Sequence, residues 1–244
     1  MSEEKVIQHT EKIIHTISDK NKKWKQKIVE IIQEVLIIVF AVSLTLWLHN
    51  WNDRRHERKM EKEFLIGIRG DISNASNSLQ ASAIYLKSIL KIYDSLCSQI
   101  LSNKINASYA DSNSNDLDNN FYFSSNSARF EGFKSSGNLR ILENKTLANH
   151  IISFFDNDLP FQRGDENSIF NHIANNIHDN ITNYAHFSPS GNRIISNLFN
   201  KTQVQNAIFE NRDLYSAAIN SKNKLSDEGK KLVAEIDNEL KENF

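Results

Sequence analysis

EVLIIVFAVSLTLWLHNWNDRRHERKMEKEFL, residues 34–65, decides how the rest of the chain is read, because it is either a buried helix of a water-soluble protein or a helix that crosses a membrane. Its uncharged core, Val35 to Leu48, is 14 residues long. As a helix it reaches about 21 Å, against a hydrocarbon thickness of about 30 Å. Runs this short also occur as buried core helices and signal-peptide segments. Ile28, Val29, Ile31 and Ile32 extend the apolar pattern backwards past Glu30, Gln33 and Glu34, and Ile28 to Leu48 is 21 residues. Trp24 and Trp51 then stand 27 positions apart, about 40 Å along a helix, which matches the two headgroup zones where Trp concentrates. Lys20, Lys22, Lys23, Lys25 and Lys27 precede the span, and Arg54, Arg55, Arg58, Lys59 and Lys62 follow it. The first 27 residues are too long and too charged for a signal-peptide n-region, and no small-residue cleavage site follows the apolar run. The expected span is residues 28–51, with Trp24, Trp47, Trp51, Lys25, Lys27, Arg54 and Arg55 as its interface anchors.

Winding the span at about 100° per residue places Glu30, Gln33, Glu34, Ala41, Thr45, His49 and Asn52 on one side. Ile28, Ile32, Val35, Val39, Val42 and Leu46 fall on the other, which suits lipid. A carboxylate at the depth of Glu34 is costly unless paired or protonated, and Ala41 with Thr45 would let a second helix approach closely. Glu34, Ala41, Thr45 and His49 are therefore the residues expected to face another membrane helix, from a second copy or a different protein. The alternative is that Glu30 and Glu34 simply reach the interface and pair with Lys27.

Glu34-Val-Leu-Ile-Ile-Val, then Asn50-Trp51-Asn52-Asp53, then the charged run from Arg54 to Glu63 leading into Phe64-Leu65, resembles an uncharacterised bacterial family of single-span envelope proteins, a domain of unknown function. Lys134-Ser135-Ser136-Gly137-Asn138-Leu139 is similar to that family's second recurrent motif, and the resemblance covers roughly residues 30–244. The chain departs from it at Ala41, where the family usually has Gly, and at His49, where it has Asn. The resemblance implies a bacterial inner-membrane location, an architecture and no activity. Together with the Lys-only N-terminal flank, it places the N-terminus in the cytoplasm and the C-terminal domain in the periplasm. Charge alone does not choose, since each flank has five basic residues.

Beyond the span the chain reads as helical. Seven Gly and two Pro against 31 Asn describe long helices with polar faces. Residues 1–62 carry net +3 and residues 63–244 net −4, so neither half has the basic surface of a nucleic-acid binder. Val6, Ile7, Ile13, Ile14 and Ile17 mark a short amphipathic helix ahead of the span, suited to a membrane surface or a partner. Leu65, Ile68, Ile72, Ala75, Leu79, Ser82, Leu86, Ile89, Tyr93, Leu96 and Ile100 alternate in steps of three and four, the seam of a bundle or coiled coil. A polar stretch, KINASYADSNSNDLDNN (104–120), reads as a flexible loop. Leu147 to Tyr184 and Val204 to Leu240 mark further helices, with a break or kink at Pro160. Ser136-Gly-Asn and Ser190-Gly-Asn open two similar segments that supply turn and capping residues.

No catalytic, cofactor-binding or metal-ligating constellation emerges. The inward Glu-x-x-His pairs of a di-iron bundle are missing, as are phosphate-binding glycine loops and nucleophile elbows. His172, His178 and His186 share a region with Asp165, Glu166 and Asp179, but only His178 and His186 approach one face. Cys97, the lone cysteine, reads as a buried thiol. The sequence thus predicts an all-α chain, with one N-terminal transmembrane helix continuing into an elongated bundle of about four helices. Its divisions are an N-terminal helix and basic flank (1–27), the transmembrane helix (28–51), a long heptad helix (52–103), a polar loop (104–124) and the remaining helices (125–244). The expected role is a non-enzymatic membrane scaffold or accessory subunit. Its partners are the lipid bilayer and a membrane protein or second copy, with no nucleic acid, no cofactor and no identifiable small-molecule ligand. The alternative is an extracytoplasmic sensor or binding module that signals through a separate transducer.

Overall fold

The computed structural model describes residues 24–244, the side chains of Lys25 and Gln26 excepted. The amphipathic helix expected before Trp24 lies outside them. The chain divides into a unit ending at Glu61 and a second from Lys62 to Phe244. Helix α1 (Trp24–Leu101, 78 residues) contributes its first part to one unit and its second part to the other.

In the first unit, every described residue of the span is exposed or half-buried except Ala41. The half-buried positions Lys27, Glu30, Ile31, Glu34 and Ile38 share Ala41's side of the helix. Among the described residues, α1 is the one helix long and apolar enough to cross a membrane.

The second unit is all-helical apart from one hairpin, and its frame follows from the seam of α1. Each seam residue from Leu65 to Leu96 is buried, and Ile100 is half-buried. The seam faces α6 (Thr202–Asn243), which runs antiparallel to it. Arg69 Nη2 donates to Asp237 Oδ2 at 3.0 Å near one end, Ser226 Oγ donates to the Ser76 carbonyl at 2.9 Å midway, and Tyr93 packs on Tyr215 at 5.2 Å further along. Gly229 lets the two helices close, since a Cβ there would collide with Ser76 Oγ and press on Phe154 at 3.2 Å. A third rod, α4 (Lys145–Ser153) followed by α5 (Leu159–Ile177), lies antiparallel to α6. His150 meets Glu235 at 2.7 Å, and His172 meets Glu210 at 2.8 Å. Between α4 and α5 the turn Phe154–Asp158 is π-helical. Pro160, in the first turn of α5, has no N–H to give the preceding turn, so that turn widens where a kink was expected.

The polar stretch after α1 is not the flexible loop expected over 104–124. It holds α2 (Ala107–Ser112), capped by Asn106 Oδ1 accepting from the Tyr109 N–H at 3.0 Å, and a 3₁₀ turn at Ser114–Asp116. Ala110, Leu117 and Phe123 are buried. Asn and Asp here cap turns and bind backbone, a use their loop-like composition conceals. From Leu117 the chain runs back along α1. The Leu117 carbonyl accepts from Tyr93 OH, the Phe121 carbonyl from Ser82 Oγ, and the Ser124 N–H donates to Ser78 Oγ at 2.7 Å. It reaches α3 (Ala128–Ser135), where Phe133 stacks on Phe64 at 3.8 Å. Gly67 of α1 leaves room for the Arg129 guanidinium, whose Nε donates to Asp71 at 3.0 Å.

A hairpin that the periodicity did not indicate joins α5 to α6. Strand β1 (His186–Phe187) pairs antiparallel with β2 (Arg193–Ile194), turning at Gly191 with φ +82°. Gly137 of the earlier Ser-Gly-Asn is left-handed as well, φ +74°. That segment instead leads through a 3₁₀ turn to Asn144, which caps α4 by accepting from the Leu147 N–H at 3.1 Å.

Candidate functional site

Three places hold chemistry. The first is the apolar face of α1. Trp24, Trp47, Trp51 and Arg54 are exposed, Lys27 is half-buried, and Arg55 lies over the Trp51 ring at 5.8 Å. The Lys25 side chain is outside the described residues. Of the four residues expected at a helix–helix contact, Glu34 is half-buried, Ala41 is buried, and Thr45 and His49 are exposed. Thr45 Oγ1 donates to the Ala41 carbonyl at 2.9 Å, and His49 lies 3.3 Å from Asp53 one turn on. The Thr45 hydroxyl proton and one His49 ring nitrogen are thus engaged within their own helix.

The second is a polar layer inside the bundle, between one apolar cluster built around Leu65–Leu79 and another around Ala83–Cys97. Lys222 of α6 and Glu166 of α5 form an ion pair, both fully buried. The Phe123 N–H hydrogen-bonds Glu166, and the Phe123 ring lies 5.4 Å from Lys222 Nζ. Burial raises the Glu166 carboxyl above its ordinary range against the pull of Lys222, and burial lowers the Lys222 ammonium against the pull of Glu166. Gln162 is buried beside them, accepting from Ser221 Oγ at 2.6 Å, while its Nε2 has no hydrogen-bond partner. The returning extended segment, residues 121–125, closes this layer. Phe121 packs on Tyr85 at 5.4 Å, Tyr122 meets Phe170 edge-on at 5.4 Å, and Arg163 stacks on Phe123 at 5.6 Å.

The third is a groove of about 530 Å³ between the turn leaving α5 and the start of α6, lined in part by Asn183, Tyr184, His186, Asn197, Asn200 and Lys201. Its walls are pinned. Arg193 of β2 is buried and donates to the Ser114 carbonyl and to Thr182 Oγ1 at 3.2 Å. Asp111 Oδ1 accepts from the Ile195 and Ser196 N–H groups at 2.8 and 2.9 Å. Lys201 Nζ sits 4.0 Å from the centre of the Tyr184 ring.

The expected histidine region does not converge. His172 pairs with Glu210, His178 opens a π-helical turn, and His186 lies on β1. Among the described residues, no group of three or more His, Cys, Asp or Glu side chains is placed to hold a metal ion. Cys97 is buried, which pushes its thiol pKa up. Lys134, first residue of the second motif, holds Asp156 of the π-helical turn at 2.7 and 2.8 Å. Neither the buried Glu166–Lys222 pair nor the groove was expected from sequence. The pair did leave a signal, since Gln162, Glu166 and Lys222 occupy positions where the helical spacing calls for apolar side chains. No protein-family model, curated protein or solved structure matches this chain.

Proposed function

We propose that this chain is a membrane-anchored, non-enzymatic scaffold or accessory subunit of a bacterial envelope complex. One observation carries the reading: from Trp24 to Trp51 the large apolar side chains other than the half-buried Ile31 and Ile38 stand 40–69% exposed, a surface that lipid would cover. The second unit, by contrast, keeps its seams inside a bundle of its own. In this reading residues 28–51 span the inner membrane once, the N-terminus is cytoplasmic and residues 63–244 are periplasmic. The resemblance of two motifs to those of the single-span family and the Lys-only flank support that orientation. In the membrane the Ala41–Thr45 side meets a helix of a partner protein or a second copy.

Carbonate extraction of native membranes tests the anchor. The chain stays with the lipid pellet, and release into the soluble fraction refutes the reading. Orientation is read with Ser112→Cys, since Ser112 is exposed and the native Cys97 is buried. A reagent that cannot cross the inner membrane should label it in intact cells, and protection there would reverse the topology. Single cysteines at 38, 41 and 45 should crosslink more readily than those at 39, 42 and 46, and equal yields would refute the contact face.

A further inference from the structure

The groove beside Lys201 has a lining unlike the rest of its unit. Residues 63–244 carry net −4, yet no carboxylate lines this groove, while Lys201 and His186 both do. Among the described residues Lys201 makes no ion pair; its ammonium rests on the Tyr184 ring instead. The Asn183, Asn197 and Asn200 side chains make no hydrogen bond within the described chain, so three amides, each a donor and an acceptor, remain available. A second groove, on the side of the bundle, shows the contrast. There His150 is held by Glu235 at 2.7 Å, with Asp158 and Glu228 also in the lining, so its cationic groups already have carboxylates close by.

Each element selects for ligand chemistry. Amides presenting donors and acceptors together match hydroxyl groups, which also do both. The exposed part of the Tyr184 ring offers an apolar platform for the C–H face of a sugar-like ring. Lys201, already desolvated on one side by that ring, supplies a charge-assisted hydrogen bond to one anionic group. The volume lies within the range of ligand pockets. The hairpin, Asp111 and Arg193 hold both walls in place, which lowers the ordering cost of binding. We propose that this groove binds a sugar-like polyol bearing one anionic group, a carboxylate or a phosphate. The proposal goes beyond the scaffold reading and does not depend on it, because ligand affinity and membrane anchoring are measured separately.

The test is isothermal titration of the full-length chain in detergent micelles with glucuronic acid, glucose 6-phosphate, neutral maltotriose and inorganic phosphate. The expected result is saturable one-to-one binding of at least one of the first two, which also identifies the anionic group. Maltotriose and inorganic phosphate should each bind about tenfold more weakly or worse. Lys201→Met should reduce the anionic ligand to the neutral one's affinity, and Tyr184→Ala should remove binding. Asn200→Asp, which sets a carboxylate in the groove beside Lys201, should abolish anion binding while thermal melting stays unchanged. Three results overturn the proposal: no saturation by either anionic polyol up to about 10 mM, equal affinity for maltotriose or inorganic phosphate, or affinity that survives Asn200→Asp.

Discussion

Replacing Lys222 with Met tests the physics of the polar layer. Met keeps the unbranched stem and removes the ammonium, so Glu166 stays fully buried with the Phe123 N–H as its remaining named partner. Breaking a buried ion pair from one side costs about 3–5 kcal/mol, because the surviving charge is uncompensated. In a unit of this size about 1 kcal/mol moves the melting temperature by roughly 2–4 °C, so a drop of about 10 °C is expected. The loss should depend on pH with a definite sign. Burial already holds the Glu166 carboxyl above its unfolded value, and removing Lys222 raises it further. The folded state then binds the extra proton, and stability falls as pH rises from the unfolded carboxylate value toward the folded one. The slope approaches about 1.4 kcal/mol per pH unit, so Lys222→Met should be clearly less impaired at pH 5 than at pH 7. Glu166→Leu combined with Lys222→Met removes both charges but leaves the Phe123 N–H without its acceptor, so the two effects should roughly cancel and bring stability back close to the parent's. Circular-dichroism melts of the full chain in micelles at the two pH values decide it. A single variant as stable as the parent, or one whose deficit is the same at pH 5 and 7, would refute the reasoning.

Other perturbations follow from particular contacts. Phe123→Ala removes the buried ring that closes the polar layer and should cost about 3–5 kcal/mol, read by the same melts. Gly229→Ala drives a methyl group into Ser76 Oγ and Phe154 and should cost about 1–3 kcal/mol, with Ser76→Ala in the same chain recovering part of the loss. Glu210 is held below its ordinary pKa by His172 and then Asn176, so its contribution is present above the unfolded carboxylate value and fades as pH falls through the folded one. The site is exposed, so Glu210→Gln should cost under about 1 kcal/mol at pH 6 and less as the pH is lowered into the acid range. Leu44→Arg sets a charge near the middle of the span at a penalty of about 2.5–3.5 kcal/mol and should shift the chain from the membrane pellet to the soluble or degraded fraction.

The long helices were legible because burial imposes a period on them. Leu65 to Leu96 in α1 repeat in steps of three and four, Val204 to Ile236 in α6 in steps of three, four and seven, and those positions are the ones the bundle buries. The return segment was not legible. Phe121, Tyr122 and Phe123 are three aromatics in a row with no helical or alternating pattern, and each finds a different partner: Tyr85, Phe170, and the Lys222–Arg163 pair of cations. The hairpin was missed for a related reason, since two-residue strands are too short to show a period of two. With it went the groove, whose walls lie in two segments that only the hairpin and the Asp111 and Arg193 contacts bring together. A chain with 31 Asn hides three that converge.

The polar layer shows how a seam can be read more closely. The apolar positions of the third rod skip from Leu159 to Ile169, and those of α6 skip from Ala218 to Leu225. Gln162 and Glu166 fill the first gap and Lys222 the second, each at seam spacing. A single charge on a seam reads as a break in the pattern. Opposite charges on two seams whose helices run antiparallel, at levels that meet, define a pair, and Ser82 at the corresponding level of α1 adds a third polar member. A register slip of one turn would leave Lys222 and Glu166 each facing hydrocarbon, a cost of several kcal/mol per charge. The layer therefore fixes the register of α5 on α6 even where it adds little net stability. The Glu166→Leu, Lys222→Met double variant should accordingly fold as stably as the parent yet lose uniqueness. Cysteine pairs placed one turn out of register, at Asn176 and Asn206 against the native neighbours Asn176 and Glu210, distinguish the outcomes. Rising out-of-register crosslinking in the double variant supports register control, and an unchanged ratio refutes it.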